Sequence, residues 1–317
     1  MASAAALVSL VGGSSRGSQA AAASASHGSW MARHRNQLAP LALARVSLLG
    51  SHDAGSCDVA EGNPPVSGYL THHGKHITRH ASAKDVLSAR CQGNSIAAQL
   101  EAGVRYLDLR VASQDGGYFA VHEWLSPPLF GPGSVLAQIG GFLASHPEEV
   151  LVLDVAELYS ATGEMNDGEA AALLNMISSQ LPGLLLPTGN TATLTFGEIW
   201  SQHGRVVLLC GKARDLPFVW DNGVLDSHWF NQKDPETLMS DLDGVVDAWR
   251  AGQSASRLRL LQTMTTTGTK LKTARTTNAL AQARLAGPWR GAPVSVFQVD
   301  DAAHCGLMPL LLAALGE

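Results

Sequence analysis

Val46-Ser-Leu-Leu-Gly-Ser-His52-Asp53-Ala-Gly-Ser-Cys-Asp58 runs from a short apolar stretch straight into a histidine and a carboxylate. A buried strand that stops in a His-Asp pair sets an ionisable couple at the mouth of a fold. Two further strand-like runs follow. Val104-Arg-Tyr-Leu-Asp108-Leu-Arg110-Val111 carries an acid and an arginine, and Tyr118-Phe-Ala-Val-His122 ends in a second histidine. Successive strand side chains point to opposite faces, so Asp108 and Arg110 share one face and Leu107, Leu109 and Val111 the other. A charged pair on the inner face of a buried strand is costly unless it is paired or functional.

Strand-like runs recur along the rest of the chain. Together the candidates are 45–49, 104–111, 118–122, 150–155, 205–210, 258–263 and 294–300. Val150-Leu-Val-Leu-Asp154 and Val206-Val-Leu-Leu-Cys210 are continuously apolar, as strands buried on both faces of a parallel sheet are. Helix signals separate them. Asn94 or Ser95 caps a helix over 96–102 that Gly103 stops. Thr195-Phe-Gly-Glu198 is a capping box opening a helix to about residue 203. Asp234-Pro235 starts a helix to about residue 251, ahead of Gly252. Segments 168–180 and 277–286 read as two more helices. Strand and helix in alternation imply a parallel α/β architecture, and the absence of Gly-x-Gly-x-x-Gly after any strand argues against a dinucleotide fold. His52, Asp108, Arg110, His122, Asp154, Lys212 and Asp300 all fall at or near strand ends. In a barrel that is where functional residues collect, at the C-terminal face. The expectation is one domain over 29–317, a distorted or incomplete parallel (β/α)8 TIM-like barrel.

Composition bounds the partners. The chain has 317 residues, 45% hydrophobic and 15% charged, with a net charge of −5 and no basic block, so nucleic acid is not an expected partner. Residues 1–28 are Ala/Ser/Gly-rich and read as a disordered tail; no apolar run is long enough for a transmembrane helix. Cys57, Cys91, Cys210 and Cys305 form no CxxC pair and read as buried thiols.

Two histidines, two acids and an arginine at strand ends suit acid–base chemistry on a phosphodiester. Cleavage by an internal hydroxyl needs one group to take the hydroxyl proton and another to protonate the leaving oxygen, and histidine does both near neutral pH. Each imidazole needs a neighbour that fixes its tautomer, and a guanidinium grips the phosphate.

The local wording resembles the X domain of phosphatidylinositol-specific phospholipases C, above all the small bacterial enzymes and the eukaryotic relatives that carry only this domain. Gly50-Ser-His52-Asp53-Ala is similar to the family's Gly-Thr-His-Asp-Ser. Gln99-Leu-Glu-Ala-Gly-Val-Arg-Tyr-Leu-Asp108-Leu-Arg110 is similar to Gln-Leu-x-x-Gly-Ile-Arg-Tyr-x-Asp-x-Arg. Val121-His122 matches the second histidine, with Glu123 where glycine is commoner. Less specific matches are His146-Pro-Glu-Glu-Val-Leu-Val-Leu-Asp154, Trp229-Phe-Asn-Gln, and Leu261-Gln-Thr-Met-Thr-Thr-Thr-Gly268. The resemblance covers about residues 29–303. It implies cleavage of a phosphoinositide to diacylglycerol and a cyclic inositol phosphate at a membrane surface, by a monomer with no cofactor. His52 is then the general base and His122 the general acid. Asp53 supports His122, Arg110 holds the phosphate beside Asp108, and Asp300 (or its neighbour Asp301) orients His52. Lys212, Asp154 and Trp229 are expected on the substrate side.

Calcium-dependent X domains of the large signalling enzymes carry Glu-x-Asp on this strand. Here Arg110 takes the place of one acid, so no metal is expected: a fixed positive charge repels the cation it replaces. Ala156 departs from the family's usual Asn. The insert 69–80 is histidine-rich and reads as a solvated loop. His72, His76 and His80 at four-residue spacing suggest a metal-binding helix face, but Gly74 and the lack of companion ligands argue against it. Two alternatives remain open: a glycerophosphodiester phosphodiesterase, or a headgroup-binding module without turnover.

Overall fold

The computed structural model describes residues 27–252, 257–266 and 268–315. The expected tail lies almost wholly outside these residues. Eight parallel strands form a curled sheet in the order β7-β6-β5-β2-β1-β10-β9-β8. They are β1 (Leu48–Ser51), β2 (Val104–Gln114), β5 (Leu151–Tyr159), β6 (Val206–Cys210), β7 (Val219–Asp221), β8 (Leu225–His228), β9 (Leu258–Gln262) and β10 (Val296–Val299). Two more strands, β3 (Gly117–His122) and β4 (Trp124–Pro128), fold back antiparallel from the long end of β2. No ladder joins β7 to β8 among the described residues, so the barrel is incomplete at that seam. The expected single-domain, TIM-like α/β fold is the one observed.

Apolar residues from the strands and the surrounding helices make one large core, filled by side chains such as Tyr106, Trp220 and Phe297. Gly50 allows the sheet to close tightly around β1. A Cβ there would sit 2.8 Å from Val296 Cγ1 and 3.1 Å from the Tyr106 ring. The capping box at Thr195 and the proline start at Pro235 are both formed, the latter opening a helix over Pro235–Ala251.

The differences from expectation have local causes. β4 contains Pro127 and Pro128, which a central strand excludes and an edge tolerates. β7 and β8 are three and four residues long, too short to show a period. A helix over Val135–Ser145 carries Gly140-Gly141, which depress helix propensity and hide it. The helix expected over 277–286 begins at Lys270, two turns earlier, because its Lys/Thr-rich start lacks an apolar stripe. The histidine-rich insert is not simply a solvated loop. Ser67–His72 is helical, and Tyr69 and Leu70 pack with Val66, Ala112, Val121 and Tyr159 in a small core of their own. The four cysteines are free and buried. No helix among the described residues is long and apolar enough to cross a membrane.

The N-terminal end of the barrel is held by a buried ion pair. Arg105 donates to Glu149 from Nε at 2.8 Å and from a terminal nitrogen at 2.5 Å. Its remaining donors reach the carbonyls of Leu100, Val104 and Gly28 at 2.7–2.8 Å. Glu149 also accepts from the backbone of Ala32 at 3.0 Å, tying the first helical turns to the barrel floor. Removing one partner of such a pair leaves a buried charge uncompensated, at about 3–5 kcal/mol. Glu149→Ala should therefore lower the unfolding free energy by about 3 kcal/mol in urea titration; a loss below about 1 kcal/mol would show that the pair carries little of the stability.

Candidate active site

Three strand ends deliver the acid–base residues, and each is followed by a residue in the left-handed backbone region. His52 follows β1 and precedes Asp53 at φ 43°. His122 ends β3 and precedes Glu123 at φ 66°. Asp300 follows β10 and precedes Asp301 at φ 51°. Each turn takes the chain sharply out of the sheet and leaves the preceding side chain at the C-terminal rim. Aspartate tolerates this backbone better than most residues. Glutamate is less suited to it.

Asp53 lies at the centre. Its Oδ2 is 3.2 Å from His52 Nε2 and 3.5 Å from His122 Nε2, while Oδ1 is 2.8 Å from Arg110 Nε. The Arg110 contact is ionic rather than a directed hydrogen bond, since neither atom has a partner in hydrogen-bond geometry. The far nitrogen of each imidazole is anchored: His52 Nδ1 to Asp300 Oδ1 at 2.8 Å, and His122 Nδ1 to the Ala89 carbonyl at 2.6 Å. It is Asp300, not Asp301, that meets His52; Asp301 pairs with His304 at 3.0 Å. Asp108 accepts from Gln298 Nε2 at 2.9 Å and from the Asp53 backbone at 3.2 Å, so it buttresses the turn that carries Asp53.

The charges set each group's state. Burial works to raise the Asp53 pKa, but Arg110, His122 and His52 hold it well below the usual carboxylate range. At His52 burial works downward, yet Asp53, Asp300 and Asp108 outweigh it and the net shift is upward. At His122 burial dominates; Asp53 opposes it, Arg110 reinforces it, and the net shift is downward. Burial and then Asp53 push Asp108 up to about 6. Burial and then Asp108 push Asp154 up to about 7.

A cleft of about 450 Å³ opens over these groups, lined among others by His52, Asp108, Arg110, Asp154, Gln262 and Trp229. Asp154 stands beside Asp108 on the next strand and accepts from Tyr106 Oη at 2.5 Å. Trp229, 47% exposed, stands at the rim with its ring stacked towards His52, centroids 6.4 Å apart. Lys212 does not line the cleft; its ammonium is 3.4 Å from Glu164. A larger cavity of about 550 Å³ lies near Arg45, Trp249 and Val294, but no histidine or carboxylate lines it.

Glu157, His73 and Gln92, all around the site, escaped the sequence reading. A β-bulge lies between the Leu109–Val155 and Arg110–Glu157 pairings. It lets Ala156 and Glu157 both line the cleft, and brings Glu157 within 3.7 Å of Arg110. Strict alternation along β5 gives no hint of this. His73, at the end of the insert helix, lines the same wall and lies 3.2 Å from Tyr159 Oη. Gln92 bridges β1 and β10 by donating to the carbonyls of His52 (2.9 Å) and Val299 (3.0 Å).

Comparison with known proteins bears on the fold and on the sequence resemblance. No family model matches the chain. Human PI-PLC X domain-containing protein 2 is 27% identical over 231 residues, covering 68% of this chain and 71% of the relative. The variant-surface-glycoprotein phospholipase C of Trypanosoma cruzi is 29% identical over 238 residues, covering 69% of this chain and 60% of the relative. Among solved structures, a mutant phosphatidylinositol-specific phospholipase C from Staphylococcus aureus superposes with a TM-score of 0.63 at 15% identity, covering 91% of this chain and 96% of that one. The Listeria monocytogenes enzyme gives 0.62 at 18%, covering 91% and 98%. The fold is thus that of the bacterial phosphatidylinositol-specific phospholipases C. In sequence the chain is similar to the PI-PLC X domain-containing proteins.

The electrostatics predict an order of titration. By NMR on the free protein, the two imidazoles should titrate in two coupled steps. The step dominated by His52 should lie above 6.5 and the one dominated by His122 below it. His122 titrating above His52 would contradict the charge arrangement described.

Proposed function

We propose that the chain is a metal-independent phosphodiesterase that cleaves phosphatidylinositol-type lipids. The observation that carries this reading is the Asp53 carboxylate set against two imidazoles and a guanidinium, of which His52 and Arg110 line the cleft. Neutral His52 takes the proton of the ring 2-hydroxyl, whose oxygen attacks phosphorus. The bond to the diacylglycerol oxygen breaks, and protonated His122 delivers a proton to that oxygen. Arg110 faces the non-bridging oxygens and offsets their growing charge. Water then opens the cyclic phosphate with the two histidines in exchanged roles. Asp154, Glu157 and Gln262 on the cleft walls offer acceptors to ring hydroxyls.

In the free protein Asp53, Asp300 and Asp108 outweigh burial and raise the His52 pKa, while burial lowers that of His122. Asp53 Oδ2 stands between the two imidazoles, 3.2 Å from His52 Nε2 and 3.5 Å from His122 Nε2, and couples their titration. A phosphate anion arriving beside Arg110 offsets part of the positive field that, after burial, lowers the His122 pKa.

The test is incubation of the purified protein with phosphatidylinositol vesicles, with and without excess chelator, following inositol 1,2-cyclic phosphate. The expected result is cyclic product before the acyclic one, with no loss of rate in chelator. His52→Ala and His122→Ala should each lower the rate by about 10²–10⁴-fold. Binding without turnover would leave a headgroup-binding module. Activity that vanishes in chelator and returns with calcium would remove the metal-independent mechanism.

A further inference from the structure

Beside the acid–base pair stands a thiol that the proposed reaction does not use. Cys91 is fully buried, with its Sγ 3.7 Å from Asp53 Oδ2. His52 Nε2 is 3.2 Å from the same oxygen. The three donor atoms, one nitrogen, one oxygen and one sulfur, all lie within 4.8 Å of one another. We propose that His52, Asp53 and Cys91 form an inhibitory site for a soft divalent cation, Zn²⁺ in the first instance.

The spacing fits such an ion. Zinc takes sulfur at about 2.3 Å and nitrogen or oxygen at about 2.0–2.2 Å, and tetrahedral angles then set N···O near 3.4 Å and S···O near 3.6 Å. The observed N···O and S···O separations are 3.2 and 3.7 Å, and the nitrogen and sulfur lie within 4.8 Å of each other.

The outer contacts fit as well. Metal-bound histidines keep their other ring nitrogen on a carboxylate or carbonyl, and His52 Nδ1 is held by Asp300 at 2.8 Å. Asp53 spends Oδ1 on Arg110, and its Oδ2, which also lies 3.5 Å from His122 Nε2, faces the ion. The Cys91 backbone is fixed by Ser56 Oγ at 3.0 Å. His52 lines the cleft, which gives the ion its entrance.

The donor set also explains selectivity. A hard cation such as Ca²⁺ wants six to eight oxygens, and this site offers one carboxylate oxygen beside a guanidinium. A thiolate selects zinc-like ions, and its negative charge offsets the field of Arg110. Binding expels the thiol proton, and any proton on His52 Nε2, to solvent. The ion then occupies the lone pair that His52 would use as base. The inhibitory consequence rests on the function proposed above; the metal site does not.

The experiment uses the full chain, freed of metal by chelator and dialysis. Cobalt(II) added to the protein should give a sulfur-to-metal charge-transfer band, which Zn²⁺ abolishes by displacement. In Cys91→Ser and Cys91→Ala the band should be lost, and Zn²⁺ affinity against a chromogenic chelator should fall by about tenfold or more. Zn²⁺ inhibition of phosphatidylinositol cleavage, read in each variant against its own metal-free rate, should weaken by the same factor. A wild-type protein without the band, or equal Zn²⁺ affinity in wild type and both variants, would overturn the site. Zn²⁺ binding that leaves turnover intact would overturn the inhibition. A cobalt band in a protein that cleaves no phosphoinositide would support the site while removing the function.

Discussion

The Asp53 carboxylate is the constraint around which the C-terminal face is built. It is 2% exposed, and a charge so deeply buried persists only with compensation. Arg110 compensates from one side, and the two imidazoles from the other. Each partner needs an address of its own. Arg110 comes from the inner face of β2, His52 from the end of β1, and His122 from a hairpin that leaves β2 and folds back. The left-handed turns at Asp53, Glu123 and Asp301 set the three chain exits, and Gln92 and Gln298 hold neighbouring strand ends to the same frame. The fold around the site is therefore organised to keep one carboxylate ionised among three cationic or protonatable groups.

Stability and chemistry are divided between the two ends of the barrel. The Arg105–Glu149 pair at the N-terminal end is wholly buried and faces no cleft. It joins the segment before β1 to β2 and to the loop before β5. At the other end the buried charges are less completely satisfied. One oxygen each of Asp108 and Asp154 has no partner, and both residues line the cleft. Unsatisfied acceptors at a cleft floor suit a ligand rich in hydroxyl donors, and they are costly without one.

Much of this was legible in the sequence, for reasons that follow from strand geometry. Asp108 and Arg110 are two apart on one strand, so their shared face needed no structure. The long apolar strands β2, β5 and β6 announced the parallel sheet, and the histidines at strand ends announced the rim. The short strands β7 and β8 and the proline-bearing β4 were not legible, since each is shaped by its neighbours rather than by its own pattern. Glu157 was hidden by a bulge that breaks the two-residue alternation. Cys91 and Gln92 sit after a short helix, and only the folded chain brings them against β1 and β10. Lys212 was expected from its place after β6, but its side chain reaches Glu164 rather than the cleft. The histidine-rich insert was read by composition alone, which missed the apolar contacts of Tyr69 and Leu70.

The most direct measurement of the central claim is an Asp53→Asn substitution followed by paired NMR titration of His52 and His122. Asparagine keeps the shape and tolerates the left-handed backbone at this position, so the fold should persist. Asp53 raises both imidazole pKa values in the native protein. Removing its charge should lower both together, and phosphatidylinositol cleavage should fall with them. Imidazole titrations that stay where they were in the folded variant would show that Asp53 is a bystander and contradict the account.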